Sequence, residues 1–151
     1  MEVSLSVPND NDIISVYECY RLDGEPDSPK QPFDELPHNE QQKWINSLHR
    51  MVSMIILDGV IVGWISIIPE AELETNLGFG LFKEFRGKRL MSRILPTLLS
   101  QIYCKLPNHR LTSGAQCCNL SAIRTLEKAG FQYIEIIKKF EHEYLKFIAP
   151  Q

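Results

Sequence analysis

The sequence predicts a mixed α/β fold, in which a central twisted sheet of parallel and antiparallel strands is flanked by helices. Three observations carry this prediction. A β-hairpin pattern stands near the middle of the chain, apolar residues recur at helical spacing on both sides of it, and strands alternate with helices in the second half. The predicted order is β-α-α-β-β-β-α-β-α-β-β. The alternation implies parallel neighbours, whereas the hairpin is antiparallel.

The composition is that of a globular protein with one domain spanning residues 1–151. Of the 151 residues, 44% are hydrophobic and 23% are charged, so a core can form without disulfide or metal staples. The net charge of −3 argues against nucleic acid as the main partner, because such a partner needs a broad basic face.

Neither a membrane span nor a secretion signal is expected. No apolar run reaches the ~18 residues of a membrane helix, and the first residues lack a basic segment followed by an apolar one. The four cysteines, Cys19, Cys104, Cys117 and Cys118, form no CxxC pair. We therefore expect reduced thiols, no bound metal and a cytoplasmic protein.

The first elements are predicted to be a short strand and two helices. Alternation over Val3–Val7 predicts the strand, and the Asn-Asp-Asn of residues 9–11 offers N-caps for a helix that ends near Tyr20. The second helix is expected over about Asn39–Arg50. Between the helices, Asp23–Glu40 holds four prolines and many charges, which predicts an exposed loop that is either a functional lid or mobile.

A hairpin and a third strand form the centre of the predicted sheet. Two apolar, β-branched runs flank Asp58-Gly59, a type I′ turn pair. The stretch Glu72–Phe82 reads as the next strand of a meander. Gly78 and Gly80 within it predict either a β-bulge or a place where another group approaches the backbone closely.

The stretch "EFRGKRLMSRIL" (Glu84–Leu95) is a basic, glycine-containing turn that leads into a helix, expected over about Gly87–Tyr103. Pro96 should kink that helix or remove one hydrogen bond. A helix N-terminus that follows a strand through such a turn suits a phosphate group, because its N–H groups are unpaired and its dipole is positive. With one glycine, the alternative of a solvated basic turn stays open from spacing alone.

The last elements are a strand, a helix and two further strands. The strand is expected over His109–Ala115. Asn119 is a plausible N-cap and Gly130 a C′ glycine for the helix of "NLSAIRTLEKAGF". The segments "FQYIEIIKKF" and "HEYLKFI" then predict the two final strands.

The segments "LGFGLFKEFRGKRLMSRIL", "HRL" and "NLSAIRTLEKAGF" together resemble the GNAT family of N-acetyltransferases, and most closely its ribosomal-protein N-terminal acetyltransferase branch. The resemblance covers roughly Leu77–Phe131. The family's Arg/Gln-x-x-Gly-x-Gly/Ala turn falls on Arg86–Met91, and "LEKAGF" matches its helix-to-strand corner. The resemblance implies the GNAT-like acyl-CoA N-acyltransferase fold.

The resemblance also implies acetyl-CoA as cosubstrate. It implies that the pantetheine arm runs along the backbone of one strand, that the pyrophosphate lies on the amides of the turn, and that an asparagine lies near the amide or thiol end. In chain order, these cofactor-binding residues would be Leu81, Phe82, Lys83, Arg86, Gly87, Lys88, Arg89, Leu90, Met91 and Asn119.

Three departures from the family pattern bear on this reading. Arg89 stands at a usual glycine position, and Lys83 replaces a common proline. Leu126 stands where many members carry a tyrosine thought to protonate the leaving thiolate. Some members of the branch use a serine three residues after the asparagine, but that position is Ala122 here, and the hydroxyl is one place earlier, on Ser121.

Acetyl transfer to an amine needs a base and stabilisation of an oxyanion. Glu74 is our first candidate base and Glu72 the second, since both lie on one face of the predicted strand; the alternative is that they are solvated surface charges. The backbone N–H of Leu81 is the candidate oxyanion donor. A covalent mechanism at Cys117 or Cys118 would need a nearby histidine.

We therefore expect an N-acetyltransferase that uses direct attack by a protein N-terminus, a lysine or a small amine. The acidic segments Asp23–Glu40 and Glu70–Glu74 would favour a cationic acceptor. The alternative is a catalytically inactive acyl-CoA-binding or protein-interaction module on the same fold. Either a monomer or a homodimer is compatible with the sequence.

Overall fold

The computed structural model describes residues 1–24, 27–139 and 141–151. Eleven elements occur in the predicted order. The strands are β1 (Val3–Ser6), β2 (Val52–Leu57), β3 (Val60–Ala71), β4 (Glu74–Leu81), β5 (Arg110–Gln116), β6 (Gln132–Lys139) and β7 (His142–Ile148). The helices are α1 (Asp10–Asp23), α2 (His38–Met51), α3 (Leu90–Lys105) and α4 (Leu120–Lys128).

The strands form one seven-stranded mixed sheet in the order β1-β2-β3-β4-β5-β7-β6. Among the strands of the described residues, β4 and β5 alone pair in parallel; the other neighbours are antiparallel. The prediction that strand–helix alternation makes β5 and β6 direct neighbours is wrong. The crossover through α4 leaves room for one strand, and β7 turns back from β6 to fill it.

The helices cover the two faces of the sheet with separate apolar cores. Buried residues of α3 and α4 pack with one face, for example Ile94, Leu98 and Leu126. Residues of α1 and α2 cover the opposite face around Trp64 and Leu48. In the part of the chain that the structure describes, no helix is long and apolar enough to cross a membrane.

The segment between α1 and α2 is less open than its composition predicts. The chain forms a 3₁₀ turn at Phe33–Glu35, and the Phe33 side chain is buried. The Tyr17 hydroxyl donates to the Gln31 carbonyl at 2.6 Å, and the Phe33 N–H donates to the Glu18 carboxylate at 2.8 Å. Residues 25 and 26 of the predicted loop lie outside the described residues.

Local signals in the sequence fix several turns. Asn9 and Asp12 form a capping box at the start of α1. Asp58 and Gly59 both have positive φ, 49° and 83°, as a type I′ turn requires. In contrast, α3 begins at Leu90, later than predicted, because the turn before it is still non-helical.

Gly78 and Gly80 do not form a bulge, since β3 and β4 keep a continuous register there. The alternative, close approach of another group, is what the structure shows. A Cβ on Gly80 would lie 2.1 Å from the Trp64 ring, and one on Gly78 would lie 2.4 Å from the Ser66 hydroxyl. The two glycines therefore let side chains of β3 cross the backbone of β4.

We predict that Gly80→Ala destabilises the protein by about 1–3 kcal/mol, because the rigid, buried Trp64 ring cannot move away from the added methyl group. Gly78→Ala is the matched variant, and it should cost less. A second change, Ser66→Ala, should recover most of that smaller cost, since the clash is with one hydroxyl. Urea unfolding measures all three. Equal costs for the two glycine variants would contradict this account.

Candidate active site

The candidate site begins where β4 and β5 stop pairing. Their parallel ladder runs from Glu74 opposite Arg110 to Leu77 opposite Ser113. Beyond that point β5 continues beside β7, as far as Gln116. The two strands therefore diverge and leave a cleft of about 730 Å³, bounded also by the start of α3 and one side of α4.

The hydrogen-bond pattern of β4 shows which backbone groups face this gap. The Phe82 N–H donates to the Val62 carbonyl, which makes these two residues a hydrogen-bonded pair in the antiparallel ladder. Such pairs alternate along the strands, so the N–H groups of Leu81 and Phe79 point away from β3. They point towards β5, which has already diverged. Both residues line the cleft.

The turn before α3 closes the other side of the cleft. Gly87 and Arg89 have positive φ, 78° and 55°, so two residues take the left-handed conformation before Leu90 starts the helix. The side chains of Leu90 and Met91 are buried in the core, which leaves their backbone on the cleft side. The first turn of α3 has no acidic residue and no capping side chain, and its N–H groups thus suit an anion.

Positive charge surrounds the cleft. Four cations line it: Arg86, Arg89, Arg124 and Lys128. Arg86 is held in place, because its Nε donates to the Leu81 carbonyl at 2.8 Å and its guanidinium pairs with Asp23 at 3.2 Å. Among the described residues that line the cleft, Asp23 is the one carboxylate. The site is therefore electrostatically suited to a polyanionic ligand.

The first turn of α4 contributes an amide and hydroxyl groups. Asn119 caps the helix, since its Oδ1 accepts the Ala122 N–H at 3.1 Å. Ser121 and Thr125, one turn apart, both line the cleft, and the Thr125 hydroxyl donates to the Ser121 carbonyl. Leu126 is buried and also lines the cleft, so this position presents an apolar side chain and no hydroxyl.

Neither candidate base, Glu74 nor Glu72, reaches the cleft. Glu74 starts β4, four residues or about 13 Å before Gly78, the first residue of that strand in the cleft lining. Its carboxylate is paired with Lys146 at 3.0 Å. Glu72 is exposed in the turn before the strand. The prediction that these side chains share one strand face is wrong, because the chain turns at Glu72 and β4 begins only at Glu74. Strand periodicity also did not indicate how far along the strand the gap opens.

Three predicted cofactor-binding residues also lie outside the cleft lining: Phe82, Lys83 and Lys88. The backbone groups of Phe82 are already bonded, its N–H to Val62 and its carbonyl to the Phe85 N–H. Lys83 begins a 3₁₀ turn in which its carbonyl accepts the Arg86 N–H. The other predicted positions line the cleft: Leu81, Arg86, Gly87, Arg89, Leu90, Met91, Asn119 and Ser121.

Sequence reasoning did not identify Ser113, Thr125, Arg124 or Lys128 as part of the site. Arg124, Thr125 and Lys128 follow Ser121 by three, four and seven residues, so helical periodicity puts them on the same face of α4 as Ser121. The sequence could therefore have predicted them. Ser113 carried no such signal. It is buried, and its hydroxyl donates to the Leu77 carbonyl at 2.8 Å, a contact between distant parts of the chain.

Comparison with known proteins gives a family for this arrangement. The family model described as an acetyltransferase (GNAT) domain matches residues 5–132. A curated protein of Bacillus subtilis named probable N-acetyltransferase YjcK is 32% identical over 85 residues. That match covers 54% of this chain and 47% of the relative, so the comparison spans about half of the length of the relative.

Solved structures share the fold. A GNAT-family acetyltransferase from Bacillus anthracis has a TM-score of 0.75 at 16% identity, over 98% of this chain and 94% of that one. RimL, a ribosomal L7/L12 alpha-N-protein acetyltransferase solved with coenzyme A, has a TM-score of 0.71 at 16% identity, over 97% and 92%. The aminoglycoside acetyltransferase AAC(6′)-Ib, solved with ribostamycin and coenzyme A, has a TM-score of 0.74 at 15% identity, over 99% and 93%.

Arg89 gives a test of how the turn holds an anion. We predict that Arg89→Gly raises the free energy of unfolding by about 1 kcal/mol, because glycine takes a left-handed φ without the Cβ penalty. Coenzyme A affinity should be unchanged if backbone N–H groups make the contact. Urea unfolding and calorimetry measure the two quantities.

Arg89→Ala is the matched control, since it removes the guanidinium but keeps the Cβ. It should bind coenzyme A like the glycine variant and show none of its gain in stability. A large loss of affinity in both variants would instead assign the phosphate contact to the guanidinium itself.

Proposed function

We propose that this chain, which belongs to the acetyltransferase (GNAT) family, moves an acetyl group from acetyl-CoA to a primary amine by direct attack. One observation carries the proposal. The unpaired N–H groups of β4 and the uncapped N-terminus of α3 line the same cleft, so they offer a strand-like track that ends at an anion site.

Acetyl-CoA has the chemistry that this track would recognise. Its pantetheine arm carries amides that can pair with the free N–H groups of Phe79 and Leu81, like an added strand; the Leu81 carbonyl already accepts from Arg86. Its pyrophosphate would lie on the amides between Gly87 and Met91, beside the cations of the cleft. This places the thioester towards the closed end of the gap, near Leu77 and Ser113.

The transfer itself needs few groups. The amine nitrogen attacks the thioester carbonyl, and a backbone N–H of β4 near the closed end of the gap, such as that of Phe79, stabilises the oxyanion. The Leu81 N–H, the donor expected from the sequence, lies four residues from Leu77 and would pair with the pantetheine instead. As the C–S bond breaks, the thiolate takes up the proton that the acylated nitrogen releases. Ser121 and Thr125 supply hydroxyl groups on the α4 side, where Leu126 supplies none. Since Glu72 and Glu74 lie elsewhere, we propose that the amine loses its proton to water.

The acceptor is proposed only as a primary amine. Two proteins of similar fold are named for acceptors of different kinds, a ribosomal protein and an aminoglycoside. Their sequence identities to this chain, 16% and 15%, are too low to favour either kind of acceptor. The geometry gives no direct support for the preference for a cationic acceptor that was expected from Glu70–Glu74. These residues flank the β3–β4 turn, away from the cleft.

A second candidate is a binding module without catalysis on the same fold. The observation in its favour is the apolar Leu126 at the position of the family's tyrosine, with no carboxylate nearby except Asp23 among the described cleft residues. Such a module would bind acetyl-CoA and hold it unreacted.

Two measurements on the full chain separate these candidates. Calorimetry with acetyl-CoA tests binding, and release of the coenzyme A thiol in the presence of an amine panel tests transfer. Protein N-terminal peptides, a lysine peptide and an aminoglycoside should be included. Binding with thiol release supports the transferase, and binding without release on every amine supports the module. Absence of binding would overturn both.

We predict a pH dependence set by the acceptor. With the amine losing its proton to water, kcat/KM should rise about tenfold per pH unit below the pKa of that amine. Two acceptors of different pKa should give two profiles displaced by the same difference. A shared plateau near neutral pH for both acceptors would reveal a protein base and contradict this mechanism.

A further inference from the structure

Strand β6 ends the sheet on one side and leaves apolar side chains exposed. Tyr133 is 53% exposed, Ile136 51% and Ile137 38%. Ile136 lies opposite Leu145 of β7 and Ile137 opposite Tyr144, so they lie on opposite faces of the sheet. Edge strands are usually protected, because an open edge pairs readily with another strand. A bulge at Ile134 and the charges of Glu135, Lys138 and Lys139 protect part of this eight-residue edge, but between them Ile136 and Ile137 leave apolar groups exposed on both faces.

The direction of the free backbone groups follows from the pairing of β7. The Ala149 N–H donates to the Leu111 carbonyl, and the Cys117 N–H donates to the Glu143 carbonyl. Odd-numbered residues of β7 therefore bond to β5, and even-numbered ones face β6. Since Tyr144 pairs with Ile137 and Lys146 with Glu135, the backbone groups of Ile136 and Lys138 point outwards.

We infer that the β6 strands of two copies of this chain pair antiparallel about a two-fold axis at Ile137, which makes one continuous fourteen-stranded sheet from two seven-stranded ones. The axis places Ile137 opposite itself. It also places each Ile136 opposite Lys138 of the other copy, in hydrogen-bonded pairs. This inference does not rest on the proposed function.

Charge selects this register among the symmetric alternatives. A ladder forms only where residues whose backbone groups point outwards lie opposite each other. On β6 these are even-numbered residues, so a symmetric pairing of two copies has its axis at a residue and not between two residues. An axis at Glu135 or at Lys138 would set two like charges directly opposite each other, which is unfavourable. An axis at Ile136 would set Glu135 against Ile137. The axis at Ile137 sets Glu135 of each copy opposite Lys139 of the other, which gives two pairs of opposite charge.

Cysteine cross-linking tests the register. In a background with Cys104, Cys117 and Cys118 changed to serine, Ile137→Cys would place two thiols at a non-hydrogen-bonded pair. The Cα atoms there are about 4.5 Å apart, within the range of a disulfide. Ile136→Cys is the matched control. Position 136 is adjacent and more exposed, but it lies opposite Lys138 of the other copy and not opposite position 136 of that copy. With diamide as oxidant, the first variant should form a covalent dimer and the second should not.

Charge reversal gives a second, independent readout. Glu135→Lys should shift the protein from dimer to monomer in light scattering, and combining it with Lys139→Glu should restore the dimer. Thermal unfolding checks that each variant folds. A monomeric native protein in light scattering at concentrations up to about 1 mM, or equal cross-linking of both cysteine variants, would overturn the inference.

Discussion

The site depends on the divergence of β4 from β5, and one buried hydrogen bond marks where it begins. The Ser113 hydroxyl donates to the Leu77 carbonyl, and these two residues are the last pair of the parallel ladder. Up to that point the backbone groups of β4 are used by its neighbours. Beyond it, Phe79 and Leu81 keep N–H groups that no strand accepts, because β5 has turned to β7.

The turn before α3 completes the site by a backbone conformation and not by a particular side chain. Left-handed residues at Gly87 and Arg89 bring the start of the helix to the gap, while Leu90 and Met91 anchor it in the core. Arg86 fixes the turn to the end of β4 through the Leu81 carbonyl. The geometry for holding an anion is therefore carried by elements that also hold the core together.

Features set by a few neighbouring residues could be predicted from the sequence. The Asp58-Gly59 turn, the Asn119 cap and the positive φ of Gly130 are of this kind, and all three are present. Features set by contacts between distant segments could not. The insertion of β7 between β5 and β6, the partner of Ser113 and the distance of Glu74 from the gap all depend on where strands meet. Periodicity indicates the face of a residue, but not its neighbour on the next strand.

The position of Glu74 gives this residue a structural role in the sheet. Its ion pair with Lys146 joins β4 to β7 across β5, so it links the two strands that flank β5. The gap is already open in the folded chain, so the cost of separating the strands belongs to folding and not to binding. A ligand that enters it breaks no strand pairing. More of its binding energy remains for affinity, as in any preorganised receptor.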